Sequence, residues 1–343
     1  MIKIRTDKNT NCHLCDNQGI ILYKDLTDSQ GLIDGSWDMY QCKECSLLWL
    51  NPRTIPEDIP KLYPRTYYTH AKDHRSKLGL IYDALLSSVV KTHGGYGRDA
   101  AIRSRIGWFL GLIPIVKTAA LRSTLFVTGP PRGTHLDVGC GSGLWLKKTK
   151  KLGWNTLGID HDKEAIAIAR EFGLHVLYGN MENSAIESNS IEIVTARHVL
   201  EHVLEPRTFL KECLRVLKPG GRAIIITPNI ESYGAQTFSR HWRGFEPPRH
   251  LYLFSVKSLA LCAKSAGFNI ETCTTLTISA FRMAMRSYQI KNQKRNVSWS
   301  IKIRSLIFMM QEAILNAFEK RRGEEVLLIA TKPDAQVNEV LTS

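Results

Sequence analysis

One run of nine residues limits the possible folds of this chain more than any other: His135-Leu136-Asp137-Val138-Gly139-Cys140-Gly141-Ser142-Gly143, followed by a helical pattern from Leu144. A short apolar strand breaks into glycines spaced G-x-G-x-G and opens a helix. Glycine there permits the tight turn and lets the backbone approach a ligand whose negative group sits at the helix N-terminus. Leu144 occupies the sixth position, so the dinucleotide pattern G-x-G-x-x-G is not met, and the Gly-Lys-Ser/Thr of a P-loop is absent. A second strand, Asn155 to Ile159, leads into Asp160, 21 residues after Gly139, where a carboxylate can accept both hydrogen bonds of a ribose diol. Further strand patterns at His175–Tyr178, Ile191–Ala196 and Arg222–Thr227 alternate with helical ones, which is the signature of a parallel sheet of βαβ units.

In order and spacing these segments resemble class I S-adenosylmethionine-dependent methyltransferases. Leu136 to Gly143 is similar to their first motif and Gly158-Ile159-Asp160 to their ribose acid. Val199-Leu200-Glu201-His202-Val203 and Leu217-Lys218-Pro219-Gly220-Gly221 match two further segments, and the likeness covers about residues 133–332. The resemblance implies an α/β, Rossmann-like seven-stranded sheet with the last strand antiparallel and helices on both faces. It implies that Asp137, Gly139, Cys140, Gly141 and Gly143 receive the methionine end of S-adenosylmethionine, and Asp160 the ribose. Asn180 and Met181 are then expected to flank the adenine, with Asn180 standing where many relatives carry Asp.

Two cysteine pairs, Cys12-x2-Cys15 and Cys42-x2-Cys45, lie 26 residues apart in a polar segment. Each pair can offer two thiolates to one tetrahedral ion, and four thiolates close the shell, so a structural zinc is expected. His13 is read as a bystander, and Cys140, Cys213, Cys262 and Cys273 as core or wall residues. The run from Tyr40 through Cys42, Cys45 and Asn51-Pro52-Arg53 to Tyr63 and Tyr67-Tyr68 resembles the N-terminal region of methyltransferases of polysaccharide and sugar biosynthesis gene sets.

Methyl transfer to a hydroxyl needs alignment and a base. His198, after the fourth strand, is one candidate. The similar position in ubiquinone-pathway O-methyltransferases is acidic and, with the equivalents of Glu201 and His202, can hold a metal. The first choice for the base is His250, in the run His241 to Tyr252, expected to titrate near the working pH. From that run Arg249, Trp242 and Tyr252, and beyond the fifth strand Asn229, are expected to meet the acceptor, with Arg249 suited to an anionic group. The expected acceptor is a small molecule, sugar or glycan. RNA methylation is the alternative, since zinc modules and basic charge are common in nucleic-acid binders. Against it, the fourth strand lacks both the Asn/Asp-Pro-Pro-aromatic run of adenine N-methylation and the Pro-Cys of cytosine C5 chemistry. A non-catalytic cofactor-binding module is a further alternative.

The net charge of +14 sits in two segments, +6 in residues 72–123 and +8 in residues 281–322. Both carry apolar stripes, Leu78, Ile81, Leu85 and Val89 in one, Ile303, Leu306, Met310, Ile314 and Phe318 in the other. Such helices can pack on the core, pair in a dimer, or lie on an anionic membrane surface. The expected organisation is a zinc module and connector over 1–70, a basic helical segment over 71–130, the methyltransferase domain over 131–333 with a basic helical insertion at 280–322, and a tail at 334–343. With no apolar leader and no run long enough to span a bilayer, a cytoplasmic location is expected, peripheral to the inner face of the membrane if the stripes bind lipid.

Overall fold

The computed structural model describes residues 2–63, 77–96, 105–293 and 296–334. Tyr67, Tyr68, Lys72, Arg75, Arg98, Arg103, Lys294, Arg295 and the side chain of Leu78 lie outside the described residues. In chain order come β1 (Thr6–Asp7), β2 (Ile20–Leu26), β3 (Trp37–Gln41), β4 (Leu48–Asn51) and β5 (Arg53–Thr54), then α1 (Lys77–His93), α2 (Arg105–Gly111) and α3 (Pro114–Arg122). An alternating stretch follows: β6 (Thr134–Val138), α4 (Leu144–Lys150), β7 (Asn155–Asp160), α5 (Lys163–Glu171), β8 (His175–Tyr178), β9 (Ile191–Arg197), α6 (Pro206–Val216) and β10 (Leu217–Pro228). The chain closes with α7 (Tyr233–Phe238), β11 (Tyr252–Leu253), α8 (Val256–Ser265), β12 (Asn269–Leu276), α9 (Ala280–Lys291), α10 (Trp299–Phe318) and β13 (Glu325–Thr331).

The large sheet has seven strands in the order β12-β13-β10-β9-β6-β7-β8. β6 runs parallel to both its neighbours, with Leu136 opposite Leu157 of β7 and Val194 of β9. β13 is antiparallel: the Gly220 N–H at the start of β10 bonds Lys332 O (3.0 Å), while the Asn229 N–H beyond its end bonds Glu324 O (2.9 Å). The expected mixed sheet with a reversed last strand is therefore the observed one. Short polar residues start several of the helices. Asp162 accepts from the Glu164 and Ala165 N–H groups, and Ser255 forms a reciprocal cap with Ser258, each such cap worth about 1 kcal/mol.

Two compact units divide the chain. The first joins Met1–Tyr67, His198–Lys211 and Ile225–Ala330. Where the sequence set residues 1–70 apart, the structure completes their sheet, ordered β11-β4-β3-β2, with a strand from the far half of the chain, pairing Tyr252 with Trp49 and Leu253 with Leu48. Trp37, Met39 and Leu48 share one apolar core with Trp242, Phe245 and Phe308. The second unit joins Tyr68–Arg197, Glu212–Ile224 and Thr331–Ser343. Its core includes Cys140, Leu146, Ile166 and Val176, and a separate cluster holds Leu86, Val89, Val90 and Ala120. That cluster corrects the stripe read for α1: Val89 is buried, but Ile81 and Leu85 are exposed, because Leu86 and Val90 turn inward beside Val89. Among the described residues no helix is long and apolar enough to cross a membrane.

Candidate functional site

In the second unit β6 delivers Asp137 and the glycine loop, and β7 delivers Asp160. Gly139, Gly141 and Gly143 have φ of 68°, 53° and 74°. That left-handed region costs a residue bearing a Cβ about 1–2 kcal/mol. At Gly143 a Cβ would also meet Leu174 Cδ1 at 2.3 Å, so a side chain there would displace Leu174 as well as strain the backbone. The Gly141 N–H donates to Asp160 Oδ2 (2.7 Å) and the Asp162 N–H to Oδ1 (2.9 Å). Two backbone donors thus aim the carboxylate, and each oxygen keeps a lone pair for a further donor. Cys140 and Met181 are buried, the Cys140 thiol being pushed up by burial, while Asn180 is exposed and accepts from the Asn183 N–H (3.2 Å).

Asp137 belongs to a buried relay that sequence reasoning missed. The Thr195 hydroxyl donates to Asp137 Oδ1 (2.6 Å), so its oxygen accepts from His135 Nε2 (2.8 Å), and His135 Nδ1 faces Thr149 Oγ1 (2.9 Å). Burial holds His135 down to about 3 and therefore neutral. Burial also lifts Asp137 to about 7, opposed by the Thr195 bond and assisted by the charge of Asp160. The available signal was a histidine and a threonine within apolar strand runs.

In the first unit the two cysteine pairs form matching knuckles. The Cys12 N–H bonds Asn17 O (2.8 Å) and the Asp16 N–H bonds Cys12 O (2.9 Å), and Cys42 repeats this with Leu47 (2.9 Å) and Ser46 (3.0 Å). Asp16 and Ser46 both take positive φ. Cys12 and Cys45 sulfurs are 3.4 Å apart, as are Cys15 and Cys42, and all four lie within 4.8 Å of one another. A disulfide would be about 2.05 Å long, whereas thiolates about 2.3 Å from a tetrahedral zinc stand about 3.8 Å apart. The donor set fits zinc. His13 turns its ring edge to Tyr252 (5.1 Å) and its Nε2 to the Asn9 amide (3.3 Å).

The same unit gathers a histidine–carboxylate cluster. His198, at a φ of 53°, follows β9 and bonds Ile226 O through its N–H (2.8 Å). Its Nδ1 faces Glu201 Oε1 (3.1 Å) and its Nε2 faces Glu325 Oε1 (3.0 Å), with the ring about 30% exposed. Glu201 is buried, and Thr227 donates to its other oxygen (3.0 Å). Burial alone would raise this carboxyl, but the His198 hydrogen bond and the charges of His198, His202 and His250 hold it at about 2. His202 Nδ1 meets Arg249 O (3.0 Å) and the Tyr63 hydroxyl (3.0 Å). His250 Nδ1 meets Gly244 O (2.6 Å). Since carbonyls only accept, both Nδ1 atoms carry the proton and Nε2 is the lone-pair nitrogen of each neutral ring.

One grouping that the sequence left open is redrawn here, and one expectation is corrected. The metal-type trio that comes together is Glu201, His202 and His250, within 4.8 Å, and not His198, Glu201 and His202, because His198 turns to Glu325. His250 does not titrate near neutrality: burial, with the charge of His202, lowers it to about 4. The residues expected to meet an acceptor are also engaged internally. Arg249 is fully buried, donating to both Asp28 oxygens (2.9 and 3.2 Å) and to Leu62 O (2.9 Å), so no anionic ligand is needed to match its charge. Trp242 donates to Glu324 (3.0 Å), and Asn229 donates to Arg321 O (2.8 Å) and Gly323 O (2.7 Å). Tyr252 donates to Leu204 O (2.9 Å) while accepting from Arg53 (2.7 Å).

A family model described as a methyltransferase domain matches residues 115–272. The ubiquinone biosynthesis O-methyltransferase of Xanthomonas axonopodis pv. citri is 30% identical over 178 residues, 46% of this chain and 71% of that protein. That of Cronobacter sakazakii is 35% identical over 101 residues, 27% of this chain, and the match spans only 42% of the relative's length. A solved structure from Thermotoga maritima, described as a possible histamine N-methyltransferase, is 19% identical with a TM-score of 0.43, covering 66% of this chain and 99% of that one.

Proposed function

Because this chain belongs to the class I S-adenosylmethionine-dependent methyltransferases, we propose that it methylates a hydroxyl oxygen of a sugar, glycan or related small acceptor, with His198 taking the proton. The observation that carries the reading is the Asp160 carboxylate, fixed by two backbone N–H groups beside a left-handed glycine loop. When bound, the cofactor supplies a methyl group on a positively charged sulfur. Asp137, Gly139, Gly141, Gly143 and Asp160 would hold it, Asp160 at the ribose diol. The relatives' O-methyltransferase names support an oxygen acceptor, and the likeness of the segment from Tyr40 to Arg53 supports a sugar or glycan.

His198 is preferred to His250 because its ring reaches solvent and its Nδ1 is already braced. With Nδ1–H on Glu201, Nε2 takes the acceptor's proton once the Glu325 side chain, 3.0 Å from it in this structure, turns aside to admit the hydroxyl, and the imidazolium so formed is held by Glu201. Cys12, Cys15, Cys42 and Cys45 would hold one structural zinc. Calorimetry with S-adenosylmethionine, followed by S-adenosylhomocysteine release across a panel of sugars, nucleotide sugars and phenols, tests the reading. Absence of cofactor binding would overturn the cradle assignment, and binding without turnover on any hydroxylated acceptor would overturn the acceptor class.

A further inference from the structure

Helix α10 presents two opposite faces, and the apolar one points outward. Trp299, Ile303, Leu306, Met310, Ile314 and Phe318 succeed one another at spacings of four and three, which aligns them along one side of about 30 Å of helix. All six are exposed, Trp299 at 78% and Phe318 at 85%. The opposite face, Ile301, Ser305, Phe308 and Glu312, is buried. It is firmly held: Phe308 stacks on Tyr233 (4.9 Å between ring centres) and Glu312 accepts the Glu324 N–H (2.9 Å). The outer stripe cannot turn inward without breaking these contacts.

Charge says what covers the stripe. At about 100° per residue, Lys302 and Arg304 lie on either side of Ile303, where their stems can follow an apolar surface while the cations reach outward. Arg282 and Arg286 are exposed on α9, and Lys320 and Arg321 follow the C-terminus of α10. Glu312, buried, is the only acidic residue from Ala280 to Phe318. A second copy packed stripe to stripe about a two-fold axis would set these cations against their own counterparts. We propose that α10 lies in the headgroup layer of an anionic lipid bilayer, with the stripe among the acyl-chain boundaries and the flanking Lys and Arg side chains on the lipid phosphates. This assignment is independent of which acceptor is methylated.

Co-sedimentation of the full chain tests it, using vesicles of phosphatidylcholine alone and with about 30% phosphatidylglycerol. Sedimentation with the anionic vesicles only, falling as salt rises to about 0.5 M, is expected. Ile303→Asp with Met310→Asp should weaken it about tenfold or more at an unchanged melting temperature, since both positions are exposed. Lys302→Glu with Arg304→Glu should remove the preference for anionic lipid. Phe109→Asp, on the exposed face of α2, is the matched control and should sediment like the unaltered chain. Recovery in the supernatant with anionic vesicles at low salt would overturn the proposal. So would loss of binding in Phe109→Asp with retention in the α10 variants, or a dimer in solution that the α10 variants dissociate.

Discussion

Two site carboxylates, Asp160 in the second unit and Glu201 in the first, are held by different means. In the second unit, Asp160 is oriented by the N–H groups of Gly141 and Asp162, donors that every residue except proline carries. In the first, Glu201 is oriented by His198 and Thr227, and Arg249 is matched by Asp28, all of them side chains. A backbone-held group tolerates change around it and loses function when it is itself replaced. A side-chain-held group fails with any of its partners, because each deletion leaves a buried polar atom or charge unmatched. Substitutions around Glu201 should therefore reach stability or turnover, and replacement of Asp160 should reach cofactor affinity.

The largest effect should follow Cys42→Ser. Structural zinc contributes roughly 10–16 kcal/mol to small zinc domains, so its loss should abolish stoichiometric zinc in elemental analysis and lower the melting temperature sharply. Cofactor affinity, measured where the protein remains folded, should hold. An unchanged melting temperature would mean that the unit does not depend on its knuckles. Next, His198→Ala should reduce turnover about 10²–10⁴-fold while calorimetric affinity for the cofactor stays put. If His250→Ala collapses turnover and His198→Ala does not, proton transfer belongs to the buried trio instead. Third, Asp160→Ala should cost about 2–3 kcal/mol of cofactor binding, about 30–150-fold in Kd. Affinity within about threefold of the unaltered chain, roughly 0.6 kcal/mol, would remove the contrast between the units.

The last test reads a slope, not a single loss, and probes the side-chain relay of His135, Thr195 and Asp137 in the second unit. His135 titrates at about 3 when folded, below its unfolded value of about 6.5. Its contribution is complete above pH 6.5 and is lost as pH falls toward 3, at about 1.4 kcal/mol per pH unit. Urea unfolding of His135→Gln should show a correspondingly flatter dependence across that window. An unchanged slope would place the acid sensitivity elsewhere.

The cradle was legible because glycine spacing and the interval to Asp160 are local properties of backbone geometry. The alternation of strands and helices from β6 to β10 was legible from equally local patterns. The histidine cluster was only half legible. His198, Glu201 and His202 announce themselves within five residues, but nothing nearby says that His198 turns to Glu325, 127 residues on. Arg249 reads as a ligand-seeking cation because Asp28, its partner, lies 221 residues earlier. Helix α10 shows the limit of periodicity. Its stripe is plain in the sequence, yet the buried face carries Ser305 and Glu312, each engaged by backbone: Ser305 donates to Ile301 O and Glu312 Oε1 accepts the Glu324 N–H.

The pairing of β11 with β4 sets a timetable for synthesis. Trwo hundred residues or so separate Trp49 from Tyr252, and at about 5–20 residues per second a ribosome takes roughly 10–40 s to make them. Until then the strand carrying Trp49 leaves the exit tunnel with one edge unpaired, the condition in which nascent chains associate with each other. The knuckles, complete by Cys45, can capture metal long before that edge is covered. Zinc supply during translation, as well as in the finished protein, would then govern how much of the chain reaches its native state.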